Sequence, residues 1–121
     1  MADRALAAAL SAPVSEVKAE LFKALGHPAR IRVLEVLSES ECSVGEMQPL
    51  VGIESSHLSQ QLGILRRAGL VATRKEGASV IYSLADPLLA DLLAVAKQLL
   101  ISSLVQNETL LSDLRTAAGR K

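Results

Sequence analysis

The sequence predicts a mainly α-helical domain with one small β-hairpin, and three observations carry that reading. Apolar residues recur at three- and four-residue spacing through most of the chain, the mark of amphipathic helices. Phe22 and Tyr82 are the only aromatic residues among 121, so the core has to be built from Leu, Val, Ile and Ala, which suits packed helices. Beyond Gly69 the apolar period shortens to two, the pattern of strands. A chain of this length has room for one domain with a modest core.

Taken in order, residues 1–13, "MADRALAAALSAP", read as a flexible N-terminal extension with frayed helical character. The small-residue ending resembles a cleavage site, but Asp3 and Arg4 cancel and alanine makes a weak apolar region, so a secretory signal is not expected. The first core helix rests on Val14, Val17, Leu21 and Leu25, with Gly26 as a left-handed stop. "GHPARIRVLEVL" restarts at once: Pro28 suits a first helical position, and Ile31, Leu34 and Leu37 form the buried stripe until "SESE" ends it.

Ser43 and Glu46 then form an S-x-x-E capping box, opening a short helix with Val44, Met47 and either Leu50 or Val51 inward. "VGIE" is a tight turn, and Glu54 or Ser55 caps the next helix, which runs to Gly69. Two short helices joined this way are a helix-turn-helix once a third packs behind them. In "LVATRKEGASVIYSL", Val80, Tyr82 and Leu84 alternate and Glu76-Gly77 supplies the turn of a hairpin.

The last helix, "DPLLADLLAVAKQLLISSLV", spreads its apolar residues over an arc of roughly 180°, where a helix covering only its own core needs about 100°. The surplus points to a partner subunit; the competing reading is that the first core helix covers it within one chain. Residues 112–121, "SDLRTAAGRK", read as a mobile C-terminal tail, leaving 14–111 as the folded domain.

Lys and Arg balance Asp and Glu, thirteen to thirteen, so bulk charge names no partner. Locally, Arg66, Arg67, Arg74 and Lys75 face only Glu54 and Glu76 in residues 54–79, a mild basic patch. One cysteine, Cys42, excludes an intrachain disulfide framework and fits a reducing interior. No uninterrupted apolar run approaches the ~18–20 residues of a bilayer span. The expectation is a soluble, cytoplasmic protein with no membrane partner. With one Cys, two His in separate segments, no Gly-rich phosphate loop and no triad or metal-hydrolase signature, catalysis is not expected.

The chemistry concentrates in "ESSHLSQQLGILRRAGLV". Leu58, Leu62 and Leu65 share one side of the helix, while Ser56, Ser59, Gln60, Gly63 and Arg67 lie opposite. Ser and Gln can read donors and acceptors on base edges in the major groove, and Arg66 and Arg67 can meet phosphates. Gly63 removes bulk where a backbone approaches a duplex. A tight helix-turn-helix, a hairpin bearing Arg74 and Lys75, then a broad apolar helix is the order of a winged helix-turn-helix dimer.

On "LFKALGHPARIRVLEVL", "SVGEM", "SSHLSQQLGILRRAGLV" and "TRKEGASVIYSL", in register across about residues 15–105, the chain resembles the ArsR/SmtB family of bacterial transcriptional repressors. The resemblance implies four helices, two strands and a fifth helix, in a homodimer paired through its first and last helices. It implies binding to double-stranded DNA at an inverted-repeat operator and release when an effector is sensed. The expected contacts are Ser55, Ser56, His57, Ser59, Gln60, Arg66 and Arg67 on the recognition helix and Arg74, Lys75 and Ser79 on the wing. The expected dimer face is Val17, Leu21, Leu88, Leu92, Val95 and Leu99.

The chain departs from the family's metal sensors. Ser43 and Gly45 stand where the Cys-x-Cys pair would be, and Cys42 sits one position earlier. From Asp86 onward Asp86, Asp91, Glu108 and Asp113 are available without a histidine. No metal site and no cofactor are expected, and His27, before Pro28, reads as structural. Two other readings stay open: a metal- or thiol-responsive repressor with an unrecognised sensor site, and a winged-helix module that docks on protein. The lack of acidic residues on the recognition face disfavours the second. A small-molecule effector is compatible with the helical core, but no residue specifies it.

Overall fold

The computed structural model describes residues 2–10 and 12–119, with helices α1 (Ala2–Ala9), α2 (Ala12–Leu25), α3 (Pro28–Glu39), α4 (Val44–Val51), α5 (Ser55–Arg67) and α6 (Leu88–Gly119). Three strands, β1 (Cys42–Ser43), β2 (Val71–Glu76) and β3 (Ser79–Leu84), form one antiparallel sheet in the order β1-β3-β2. The chain divides into a unit through Leu89 and a second from Ala90.

In the first unit α3 packs against α4, α5 and β3, burying Val33, Leu34, Met47, Leu58, Leu62 and Leu65 almost completely. Of the stripe expected on α3, Leu34 and Leu37 are buried and Ile31 is half-buried. On α4 the inward residue is Val51, and Leu50 is 68% exposed.

The helix ends explain the geometry. His27 caps α3: its Nδ1 accepts from the Ala29 N–H at 3.1 Å, with Pro28 opening the first turn. Ser43 and Glu46 complete the capping box, Ser43 N–H donating to Glu46 Oε1 at 3.1 Å and Glu46 N–H to Ser43 Oγ at 3.3 Å. Gly52 closes α4 at φ 76°, a left-handed conformation that costs glycine nothing and turns the chain into α5. At the end of α5, Leu70 N–H donates to Leu65 O and Gly69 N–H to Arg66 O, a Schellman pair that leads directly into β2.

The left-handed stop expected at Gly26 is not there. The positive-φ glycines are Gly52, Gly69 and Gly77, whereas α2 ends through bonds from Gly26 N–H to Lys23 O and His27 N–H to Leu25 O. A Cβ on Gly26 would stand 3.3 Å from the Phe22 carbonyl oxygen, so close approach accounts for the glycine. Glu54 holds the N-cap position of α5 but makes no side-chain cap bond.

The hairpin gains a third strand, since Cys42 pairs with Tyr82 and Ser43 with Ile81. Two residues are too short a strand to leave a period in the sequence. The segments set apart as N-terminal extension and C-terminal tail carry helix: α1 lies within 1–13, and α6 continues past Ser112 to Gly119. Alanine-rich and straight-chain composition explains both, since these residues lose least on entering a helix.

In the second unit α6 exposes Val95, Leu99, Leu100, Ile101, Leu104 and Val105 at 50–68%. By length and composition Leu88–Ala117 is apolar enough to cross a membrane, and almost none of it is buried. The expectation drawn from unbroken apolar runs missed this, because Gln98, Ser102, Ser103, Gln106 and Asn107 interrupt the run while leaving the mean high.

Candidate nucleic-acid interface

Helix α5 presents its faces as the leucine spacing predicts. With Leu58, Leu62 and Leu65 buried, Ser56, Gln60, Gly63 and Arg67 fall within about 60° of one another on the opposite side. Ser55, Ser59 and Arg66 line one edge of that face, and all six side chains are exposed. Arg67 folds back along the helix, so that a Cβ on Gly63 would stand 3.3 Å from its Nη1. This guanidinium therefore lies over the glycine in the centre of the face.

His57 lies on the other edge. It is half-buried, its ring edge-on to that of His27 with centroids 6.1 Å apart. It therefore packs against the start of α3 rather than standing free in solvent. Beside it Gln61 is 6% exposed, the one buried polar residue among the described residues, and its Oε1 accepts from Arg30 Nη1 at 3.4 Å. Sequence reading passed over Gln61 because it sits next to Gln60; only its 100° offset around the helix marks it as inward.

On the wing, Arg74 is engaged by acids. Its Nη1 donates to Glu41 Oε2 at 2.6 Å and its Nη2 to Glu76 Oε2 at 2.9 Å. Hydrogen bonding from Arg74 holds the Glu41 carboxyl below its ordinary range, and both carboxylates raise the Arg74 guanidinium further. Glu41 gave no sign of this from the sequence, because the tie depends on β1 joining the sheet. Lys75 and Ser79 are exposed and, among the described residues, form no ion pair or side-chain hydrogen bond.

The residues expected at a dimer face are divided by exposure. Val17, Leu88, Val95 and Leu99 are 56–71% exposed, and Leu21 and Leu92 are half-buried. Cys42 is buried, its thiol pushed up by burial and by the nearby Glu46 carboxylate. Among the described residues no three His, Cys, Asp or Glu side chains gather where they could hold a metal ion.

The family profile described as a helix-turn-helix domain matches residues 25–74. The HTH-type transcriptional regulator Rv0081 of Mycobacterium tuberculosis is 56% identical over 110 residues, covering 90% of this chain and 96% of that protein. Its crystal structure superposes with a TM-score of 0.74, covering 80% of this chain and 98% of that one. A Synechocystis homologue of the repressor SmtB is 38% identical over 77 residues, covering 64% of this chain and 58% of that protein. The chain belongs to the ArsR/SmtB family of winged helix-turn-helix transcriptional regulators.

A further solved structure is the homodimeric winged helix-turn-helix DNA-binding domain of Mb0332 from Mycobacterium bovis, a possible ArsR-family transcriptional regulator. It superposes with a TM-score of 0.70 at 28% identity, covering 77% of this chain and 86% of that one. Within the winged helix-turn-helix fold α4 and α5 form the helix-turn-helix and the β2-β3 hairpin forms the wing.

Proposed function

We propose that two copies of the chain bind an inverted-repeat operator in double-stranded DNA and repress transcription there, leaving when an effector is sensed. The observation that carries this is the α5 face: Ser56, Ser59 and Gln60 exposed together with Arg66 and Arg67, and no carboxylate among them. Ser55, Ser56, Ser59 and Gln60 read base edges, and Gln60 has the fork to meet adenine bidentately. Arg66, Arg67 and Lys75 neutralise phosphate, with Ser79 beside them on the wing. Arg74 joins them only by exchanging Glu41 and Glu76 for phosphate oxygens. His57 acts from the edge of the face, where packing against His27 limits its reach.

The second copy covers the apolar side of α6, with Leu88, Leu92, Val95 and Leu99, and that of α2, with Val17 and Leu21. Lys97, Asp91 and Glu108 on α6 suit a soluble dimer in the cytoplasm better than a bilayer, where each charge costs about 2.5 kcal/mol or more. Regulation by thiol or metal chemistry is disfavoured by the buried, protonated Cys42. The test is a mobility-shift titration on the gene's own upstream region, with and without chelator. A discrete complex at nanomolar protein, unaffected by chelator, supports the reading; no shift above that of random DNA refutes it.

A further inference from the structure

Helix α6 carries two apolar stripes that do not coincide. Leu88, Leu92, Val95 and Leu99, the part of α6 assigned to the second copy, lie within about 60° of one another around the helix. Beyond Leu99 that line passes through Gln106 and Asp113, with Leu110 the one large apolar residue left on it. Leu100, Leu104, Leu111 and Leu114 share a different line about 80° wide, centred roughly 110° away. These four are 47–66% exposed, whereas Leu89 and Leu93, earlier on the same line, are buried and half-buried. Supercoiling does not join the stripes, because a seven-residue repeat drifts only about 20° per heptad. A helix packed on the first stripe therefore leaves the second uncovered.

The second stripe advances by alternating steps of four and three residues, the spacing of a coiled-coil seam. Its central place is held by Asn107, exposed like the leucines around it. An asparagine in such a seam selects an identical seam, where the same amide stands opposite and satisfies it. We propose that residues 100–114 form a second interface between copies of this chain, a short parallel coil with Asn107 facing Asn107, which joins two dimers into a tetramer.

The flanking residues fit that pairing. In parallel register Ser103 stands across from Glu108 and Leu110 from Arg115, so no like charges meet. An antiparallel pair matched at Asn107 would bring the two Glu108 carboxylates to one edge. A membrane surface fits less well: Lys97 and Arg115 are outnumbered by Asp91, Glu108 and Asp113, where interfacial helices carry an excess of cations. Each copy then meets one neighbour through Leu88, Leu92, Val95 and Leu99 and another through the seam, and two such two-fold contacts close as a dimer of dimers. Four copies of α5 suffice for two inverted repeats, so the tetramer occupies paired operators cooperatively. The assembly rests on the proposed dimer; its consequence for DNA rests on the DNA-binding proposal.

The experiment is sedimentation velocity of the full chain over a wide concentration range, with circular dichroism as the check on folding. The expected result is a tetramer that dissociates to dimers on dilution. Leu104→Gln combined with Leu111→Gln should weaken tetramer formation at least tenfold, leaving a dimer with an unchanged spectrum. Register is read independently: under mild oxidation Asn107→Cys in a Cys42→Ser background should link chains in pairs, and Ser112→Cys, on neither stripe, should not. A wild type that is dimeric at every concentration overturns the seam and leaves the dimer standing; a monomer overturns both. A double variant that stays tetrameric overturns the proposal, and so does one that falls to monomer, because the seam would then belong to the dimer face. Should the double variant unfold, the cysteines decide, and equal linking at both positions or none at Asn107 overturns the parallel pairing. Flotation of the wild type with phosphatidylglycerol vesicles, lost in the double variant, would give the stripe to a membrane instead. In a separate arm, a duplex with two copies of the upstream operator should bind at least tenfold more tightly than one copy in the wild type and not in the double variant. A tetramer without that gain removes the consequence for paired operators; a tetramer that binds no DNA removes the DNA reading alone.

Discussion

Arg74 reaches past β3 to Glu41: its Nη1 stands 2.6 Å from the Glu41 carboxylate, while its other arm holds Glu76 on its own strand. Arg74 and Ser43 both pair with Ile81, from opposite sides of β3, so the tie staples the outer strands of the sheet. The wing's charge therefore resides in Lys75. Lys75→Ala should flatten the slope of log affinity against log salt by roughly 2, from two phosphate contacts per dimer. Arg74→Ala should flatten it by clearly less, and Glu41→Gln, which releases the Nη1 arm of Arg74 while Glu76 keeps the other, should raise affinity for nonspecific DNA. Affinities at several salt concentrations decide; equal flattening by both alanines would place Arg74 on phosphate in full.

Gly63 offers a test in which stability and binding should move in opposite directions. An alanine there gains up to about 1 kcal/mol of helix propensity. Its Cβ would meet only the mobile end of Arg67 at 3.3 Å. Thermal unfolding should therefore improve slightly. Operator affinity should fall several-fold if DNA approaches at the centre of this face, and an unchanged affinity would move the contact elsewhere.

The cap at His27 is a third prediction. Its Nδ1 satisfies the Ala29 N–H, so His27→Ala should destabilise by about 1 kcal/mol, as loss of a side-chain cap does, and His27→Asn should restore most of it. Urea denaturation of the two variants measures this.

Acid should loosen the start of α4. Hydrogen bonds from the Ser43 N–H and hydroxyl lower the Glu46 carboxyl below its ordinary value. A lowered carboxyl contributes stability that is complete above its unfolded value and disappears as pH falls through the folded one. The melting temperature should decline across that interval, and Glu46→Gln should remove part of the decline while leaving the melting temperature nearly unchanged once the wild-type carboxyl is protonated in both states. A Glu46→Gln profile parallel to the wild type would show that the box contributes nothing.

Helical periodicity, the capping box and the turn glycines made α3, α4, α5 and the hairpin legible, because each is specified by residues within a few positions of one another. Leu58, Leu62 and Leu65 fix the inner face of α5, and the outer face follows. Contacts between distant segments were not legible. The Arg74 tie to Glu41 spans 33 positions and the Arg30 bond to Gln61 spans 31, and both depend on how elements meet. Gly26 misled for a related reason: a glycine required for close approach to the Phe22 carbonyl looks the same in sequence as one required for positive φ.

The most direct test of the α5 assignment is fluorescence anisotropy with the upstream operator and a scrambled duplex of equal length, for the wild type and Gln60→Ala at fixed salt. Loss of one base-edge contact should cost ~1–3 kcal/mol on the operator and almost nothing on the scrambled duplex, without altering the salt slope. Equal losses on both duplexes, or no loss on either, would contradict the claim that this face of α5 reads sequence.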